Sequence, residues 1–98
     1  LELRIFGRVH HARQRLARVQ ISLGKPDDAL KTLTIAEPGA FAARYAEARG
    51  DALFAKGDKA GALAEFRKAR DTQAIGGSQT VDLVGLELKI ADLEADKP

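Results

Sequence analysis

The stretches SLGKPDDALKTL (Ser22–Leu33) and AKGDKAGALAEF (Ala55–Phe66) interrupt helix-favouring sequence in the same way. Each carries a glycine, a charged residue and, five positions after the glycine, an alanine: Gly24 with Ala29, and Gly57 with Ala62. Glycine takes the left-handed conformation cheaply and so ends a helix. Pro26 lacks an N–H and suits the first turn of the next helix, where that donor has no partner. Asp27 and Asp28 then place negative charge at the positive end of the new helix dipole, and Asp58 is a good N-cap for the second restart. The two glycines lie 33 residues apart. Repetition on that period points to stacked helical hairpins, neither of which can bury its apolar face alone. The two breaks are then the inner turns of consecutive helix pairs.

Composition agrees with an all-α chain of one domain. Its 98 residues allow a thin core. Alanine and aliphatic residues dominate it, with four Phe, one Tyr and no Trp. Small side chains suit close helix-on-helix packing, and long runs of the β-branched and aromatic residues that favour strands are missing. Without cysteine there is no disulfide framework, zinc knuckle or thiol chemistry. No run approaches the roughly 20 apolar residues of a membrane span. The lack of methionine, position 1 included, leads us to expect a piece excised from a longer chain, with targeting or anchoring segments outside it. Net charge is +2, too small to indicate a nucleic-acid partner. Its distribution is lopsided: residues 1–20 hold five Arg against one Glu, and residues 71–98 hold six acids against two Lys. Such a gradient can orient a partner or a second copy.

Spacing predicts five helices. The first has an apolar face of Ile5, Val9, Ala12, Leu16, Val19 and Leu23, in steps of four and three. The second buries Ala29, Leu30, Leu33 and Ala36. Pro38 opens the third, patterned on Phe41, Tyr45, Ala48, Ala52 and Ala55. The fourth turns Ala62, Leu63, Phe66 and Ala69 inward. Ser78 or Thr80 caps a fifth that bears Val81, Val84, Leu88 and Ala91 and an acidic outer face. The expected organisation is two pairs, about residues 3–36 and 38–71, with a capping helix over about 79–95.

Residues 46–69 resemble the tetratricopeptide pattern, in which a large residue, a leucine–glycine pair and an aromatic on one helix precede alanines on the next. Ala46 stands at the first large position, Arg49 before the glycine, Gly50 on it and Leu53 at the aromatic. After the Gly57 turn, Ala62, Phe66 and Ala69 take the packing positions. The first unit matches more weakly, with Ala17 in place of the glycine, Ala29 and Ala36 kept, and Leu33 where Phe66 sits. The resemblance implies tetratricopeptide-like stacked hairpins, a right-handed solenoid fragment. More narrowly, RLARVQISLGKPDDALKTL, AEARGDALFAKGDKAGALAEFRKA and LELKIADL together resemble the C-terminal part of the YfgM family, over about Arg13 to Leu93. Members of that family are bacterial inner-membrane proteins described as ancillary subunits of the SecYEG translocon. Each has one span and a periplasmic tetratricopeptide-like domain, and they associate with the translocon and with chaperones such as PpiD.

No residue set has the form of a chemical machine, and we expect neither catalysis, a cofactor nor a metal site. His10 and His11 are neighbours on one helix and point about 100° apart, so they cannot share an ion as an i, i+4 pair can; they read as surface histidines. Arg4, Arg8, His11, Arg15 and Arg18 form a basic stripe, which is either a solvated or internally paired flank whose long stems cover the core edge or a grip for an acidic partner or phosphate groups. GDALFAKGDKAG does not match the phosphate-binding loop, and no strand precedes it. Ser22 and Ser78 lie on no sharp strand-to-helix turn.

In tetratricopeptide proteins the first helix of each pair lines a concave peptide-binding face. The resemblance places His11, Gln14, Arg18 and Ser22 there from the first pair, and Arg44, Glu47, Asp51 and Phe54 from the second. The carboxylate clamp of that family uses Lys and Asn, and Gln14/Arg18 and Glu47/Asp51 stand in their place. The expected function is a non-catalytic protein–protein interaction module at the periplasmic face of the inner membrane. By resemblance its partners are translocon subunits, a periplasmic chaperone or exported clients, without nucleic acid and without insertion of this segment into the membrane. The alternative is a structural repeat segment whose apolar N-terminal helix (Leu3, Ile5, Phe6) packs on upstream repeats or on another copy.

Overall fold

Two left-handed glycines set the course of the chain. In the computed structural model, which describes residues 2–35, 39–74 and 83–95, Gly24 has φ 77° and Gly57 has φ 95°. Each closes the same pair of reversed hydrogen bonds. Gly24 N–H donates to the Ile21 carbonyl at 3.0 Å and Lys25 N–H to that of Gln20 at 2.8 Å; Gly57 N–H donates to Phe54 at 3.0 Å and Asp58 N–H to Leu53 at 2.9 Å. This is the Schellman arrangement, in which the glycine satisfies carbonyls that a helix end would leave bare. Both restarts are also alike, with Ala29 N–H donating to Lys25 and Ala62 N–H to Asp58. The Asp58 carboxylate accepts the Gly61 N–H at 2.9 Å, the N-cap bond foreseen for it.

The elements are α1 (Glu2–Ser22), α2 (Pro26–Leu33), a 3-10 turn (Gly39–Phe41), α3 (Ala42–Lys56), α4 (Lys59–Ala74) and α5 (Leu83–Ala95). All regular structure among the described residues is helical. Helices α1 and α2 pair, α3 and α4 pair, α2 and α1 also touch α3, and α5 lies on α4. Ala36, Pro38, Ser78, Thr80 and Val81, to which the sequence assigned packing or capping roles, lie outside the described residues.

Small side chains make the core. Ala17, Ala29, Leu33, Phe41, Tyr45 and Ala52 form one cluster; Ala43, Ala46, Phe66, Leu86 and Ile90 are among the members of a second. Helix α3 contributes to both, so it is the shared wall of the two layers. At its centre Gly50 lies against the Phe66 ring: a methyl on Gly50 would come 2.6 Å from Phe66 Cδ1. The far end of α2 has no glycine cap. Arg13 reaches the Thr32 carbonyl at 3.3 Å. Arg49 reaches that of Leu33 at 3.3 Å while donating to Glu65 on α4 at 2.9 Å. Two guanidinium groups thus meet the negative end of that helix dipole.

Three expectations are corrected. On α1 the stripe in steps of four and three faces outward, with Val9 48%, Leu16 50%, Val19 52% and Leu23 65% exposed. The inward face is His10, Ala17 and half-buried Ile21, because the one-residue-later row meets α2 and α3. On α5, Val84 and Leu88 are likewise exposed, and Leu86, Ile90 and Leu93 are buried. Lastly, His10 is a core residue, only 4% exposed. Its Nδ1 lies 2.7 Å from Tyr45 Oη, and its ring stacks on Phe41 with centroids 4.6 Å apart. The side chains of Leu3, Ile5 and Phe6 lie outside the described residues.

Two predictions follow from this packing. Gly50→Ala gains up to about 1 kcal/mol of helix propensity, but overpacking at a buried ring costs about 1–3 kcal/mol. The variant will melt lower than the parent, and adding Phe66→Leu will restore part of the loss, as a double-mutant cycle by urea denaturation will read. Burial first, and then the Arg13 charge, hold the His10 pKa below its ordinary value of 6.5. The unfolded chain therefore takes up this proton before the folded one does, so the stability His10 contributes is intact above pH 6.5 and is lost as pH falls below it. Melts from pH 7 down to about 5 will show a steeper decline for the parent than for His10→Gln.

Candidate partner-binding groove

The chain has a groove of about 470 Å³ where α3, α4 and α5 converge, and Asp51, Phe54, Lys59, Phe66, Lys89 and Leu93 are among the residues that line it. Helix periodicity explains the placement. Glu47, Asp51 and Phe54 follow one another in steps of four and three along α3 and share a face. Lys89 and Asp92 sit three apart on α5 and look back at it. Phe66 is supplied by α4, wedged over Gly50, and Phe54, 53% exposed, stands at the rim.

Electrostatically the groove is organised around Lys89. Its ammonium donates to Glu47 at 2.9 Å and to both oxygens of Asp51 at 3.0 and 3.3 Å, and it stands 5.4 Å from the centre of the Phe66 ring. Burial pulls the Lys89 pKa down, yet the bonds to Glu47 and Asp51 outweigh it and hold the group above its ordinary value. At Asp51 burial is the largest influence and raises the pKa. The Lys89 bond and charge and the more distant Arg18 oppose it, and Glu47 adds to it. Two carboxylates four residues apart repel; the lysine between them makes the arrangement tolerable. An apolar floor with charges of both signs on its walls suits a side chain inserted from a polypeptide whose backbone and charges meet the rim.

Three of the eight residues predicted from the sequence gather here, Glu47, Asp51 and Phe54, whereas Arg18 is exposed on α1 and acts on Asp51 only at a distance. The others stand apart or in different roles. His11 is exposed and meets the Phe41 ring edge-on at 6.5 Å. Gln14 is half-buried, its amide nitrogen without a partner among the described residues. Ser22 is exposed in the last turn of α1, and Arg44 is half-buried near the start of α3. Sequence reasoning missed Lys89, Phe66, Lys59, Asp92 and Leu93 as groove residues. A signal existed for Lys89. It is the one base in residues 83–95, and a like-charged i, i+4 pair elsewhere calls for such a cation.

Among the described residues no group of three His, Asp or Glu side chains is placed to hold a metal ion, and no helix is long and apolar enough to cross a membrane.

Comparison with known proteins agrees with this architecture. The chain is 54% identical over 48 residues to the ancillary SecYEG translocon subunit of Escherichia coli, a match covering 49% of this chain and 23% of that protein. It is 43% identical over 58 residues to the ancillary SecYEG translocon subunit of Haemophilus influenzae, covering 59% of this chain and 28% of that one. The chain thus spans about a quarter of the length of either relative. No solved structure matches. The family model for the tetratricopeptide repeat-like domain matches residues 8–95, and with paired helices turning at Gly24 and Gly57, the chain belongs to that family.

Proposed function

We propose that the chain is a non-catalytic interaction module that holds a segment of another protein in the groove between α3, α4 and α5. The single observation that carries this reading is the exposed Phe54 ring beside an apolar floor where Lys89 is paired with Glu47 and Asp51. An ordered groove on rigid helices loses less entropy on binding than a loop would. Its polar groups suit binding better than chemistry. The ammonium of Lys89 is held by two carboxylates, an ion-paired arrangement that suits binding rather than an activated nucleophile facing a base. Likeness to ancillary translocon subunits supports a place beside the SecYEG machinery. The site of action is then the periplasmic face of the inner membrane, with translocon subunits, exported clients or a periplasmic chaperone as occupants.

A photo-crosslinking residue at Phe54, introduced in cells, will capture a translocon subunit, an exported chain or a chaperone. The same probe on α4 at exposed Lys68 will not. Equal capture at both sites, or none at Phe54, would count against the groove. Phe54→Ala removes an exposed ring and will leave the melting temperature within about 2–4 °C of the parent, while weakening capture about tenfold, or about 1.4 kcal/mol. Lys89→Gln leaves Glu47 and Asp51 opposed at half-exposed positions, where the loss is up to about 1 kcal/mol. That loss will shrink as pH falls and Asp51, whose pKa is raised, takes a proton.

A further inference from the structure

The two outward stripes are complementary to one another. On α1, Val9, Leu16, Val19 and Leu23 are about half to two-thirds exposed and lie along about 20 Å of helix. Arg8 and Arg15, both exposed, run beside them seven residues apart. On α5, Val84, 72% exposed, and Leu88, 63% exposed, continue through exposed Ala91 and Ala95 along about 16 Å. Glu87 and Glu94, again seven apart, run along one side. Arg8, Arg15 and Glu87 have no ion-pair partner among the described residues, and Glu94 is held by Arg67. Each stripe repeats in steps of four and three, the spacing of a helix–helix seam.

We propose that α1 of one copy docks on α5 of the next, so that the chain stacks head to tail with itself. Charge selects this pairing. Two α1 faces brought together would oppose arginine to arginine, and two α5 faces would oppose acid to acid. Only α1 against α5 sets Arg8 and Arg15 beside Glu87 and Glu94 at matching intervals while both apolar stripes leave water. Position in the fold permits it, because α1 packs on α2 and α3 whereas α5 packs on α4, so the two faces belong to different layers. Such an interface is heterologous, the same two unlike patches recurring at each step. It uses surfaces other than the α3–α4–α5 groove, so it stands or falls independently of the partner proposed for that groove.

Complementation of two crippled faces tests it. Leu16→Asp disables the α1 stripe and Leu88→Asp the α5 stripe, both at exposed positions, and circular dichroism melts confirm that each variant folds. By sedimentation velocity the parent will form concentration-dependent species larger than a dimer, weakening about tenfold when salt screens the flanking charges. Each variant alone will stay monomeric. Mixed, they will form a 1:1 dimer and grow no further, since one live face of each kind remains. A parent that stays monomeric at every concentration, a variant that associates alone as the parent does, or a mixture that remains monomeric would overturn the proposal. If a variant fails to fold, Arg15→Glu and Glu87→Arg replace the pair. Each will weaken association, and the mixture of the two reversed faces will recover it; no recovery would overturn it equally.

Discussion

The approach of α3 to α4 at Gly50 is the constraint on which the remaining structure depends. Buried Phe66 occupies the space that any side chain at 50 would fill, so the two helices come together over a ring on one side and bare backbone on the other. That contact fixes the second pair. Because α3 also supplies Phe41's neighbour Tyr45 and the buried Ala52 to the other cluster, it fixes the first pair's place as well. A helix committed on two sides has little freedom to tilt. The side chains on its remaining face, Glu47, Asp51 and Phe54, are therefore presented by a rigid support.

Alanine serves the same end elsewhere with less force. Ala17 on α1 is fully buried at the position equivalent to Gly50, and Leu33 is fully buried where Phe66 stands in the second pair. A smaller partner opposite tolerates a methyl, so the first pair closes without a glycine. It gains helix propensity on α1 in exchange for a smaller buried side chain on α2. The arginines meet a different demand. With no glycine turn after Leu33, the last carbonyls of α2 are satisfied by Arg13 and Arg49 reaching in from α1 and α3. Arg49 then binds Glu65 on α4 and links three helices through one half-buried group.

Residue types made the turns legible and hid the orientation of the terminal helices. Gly24 and Gly57 announce themselves because few residues other than glycine take positive φ, and the alanine and phenylalanine of α4 follow a spacing that a neighbour reads from only one side. On α1 and α5 two apolar rows compete. The row with the larger residues, Val9, Leu16 and Val19 on α1, looks like the core by periodicity alone. The buried row of α1 contains His10 and Ala17, which a hydropathy count undervalues. The ring of Phe41 and the hydroxyl of Tyr45, brought from beyond α1, make a histidine acceptable there. The groove was half legible for the same reason. Its α3 wall follows from one helix, but Lys89 and Leu93 join it through α5, whose placement depends on the tertiary contacts of Leu86 and Ile90 rather than on local spacing.

The inner and outer faces of α5 thus carry separate duties. Leu86, Ile90 and Leu93 seat the helix in the second cluster, and Lys89 completes the groove from the same side. Val84, Leu88 and Glu87 are left to the outside. Substitution on the outer row changes nothing that holds Lys89 against Glu47 and Asp51, so a partner gripping that row need not disturb an occupant of the groove. Loss of Leu86 would unseat the helix and the groove together. The order of dependence runs from the Gly50–Phe66 contact, through the clusters that α3 joins, to Lys89, whose place against Glu47 and Asp51 rests on both.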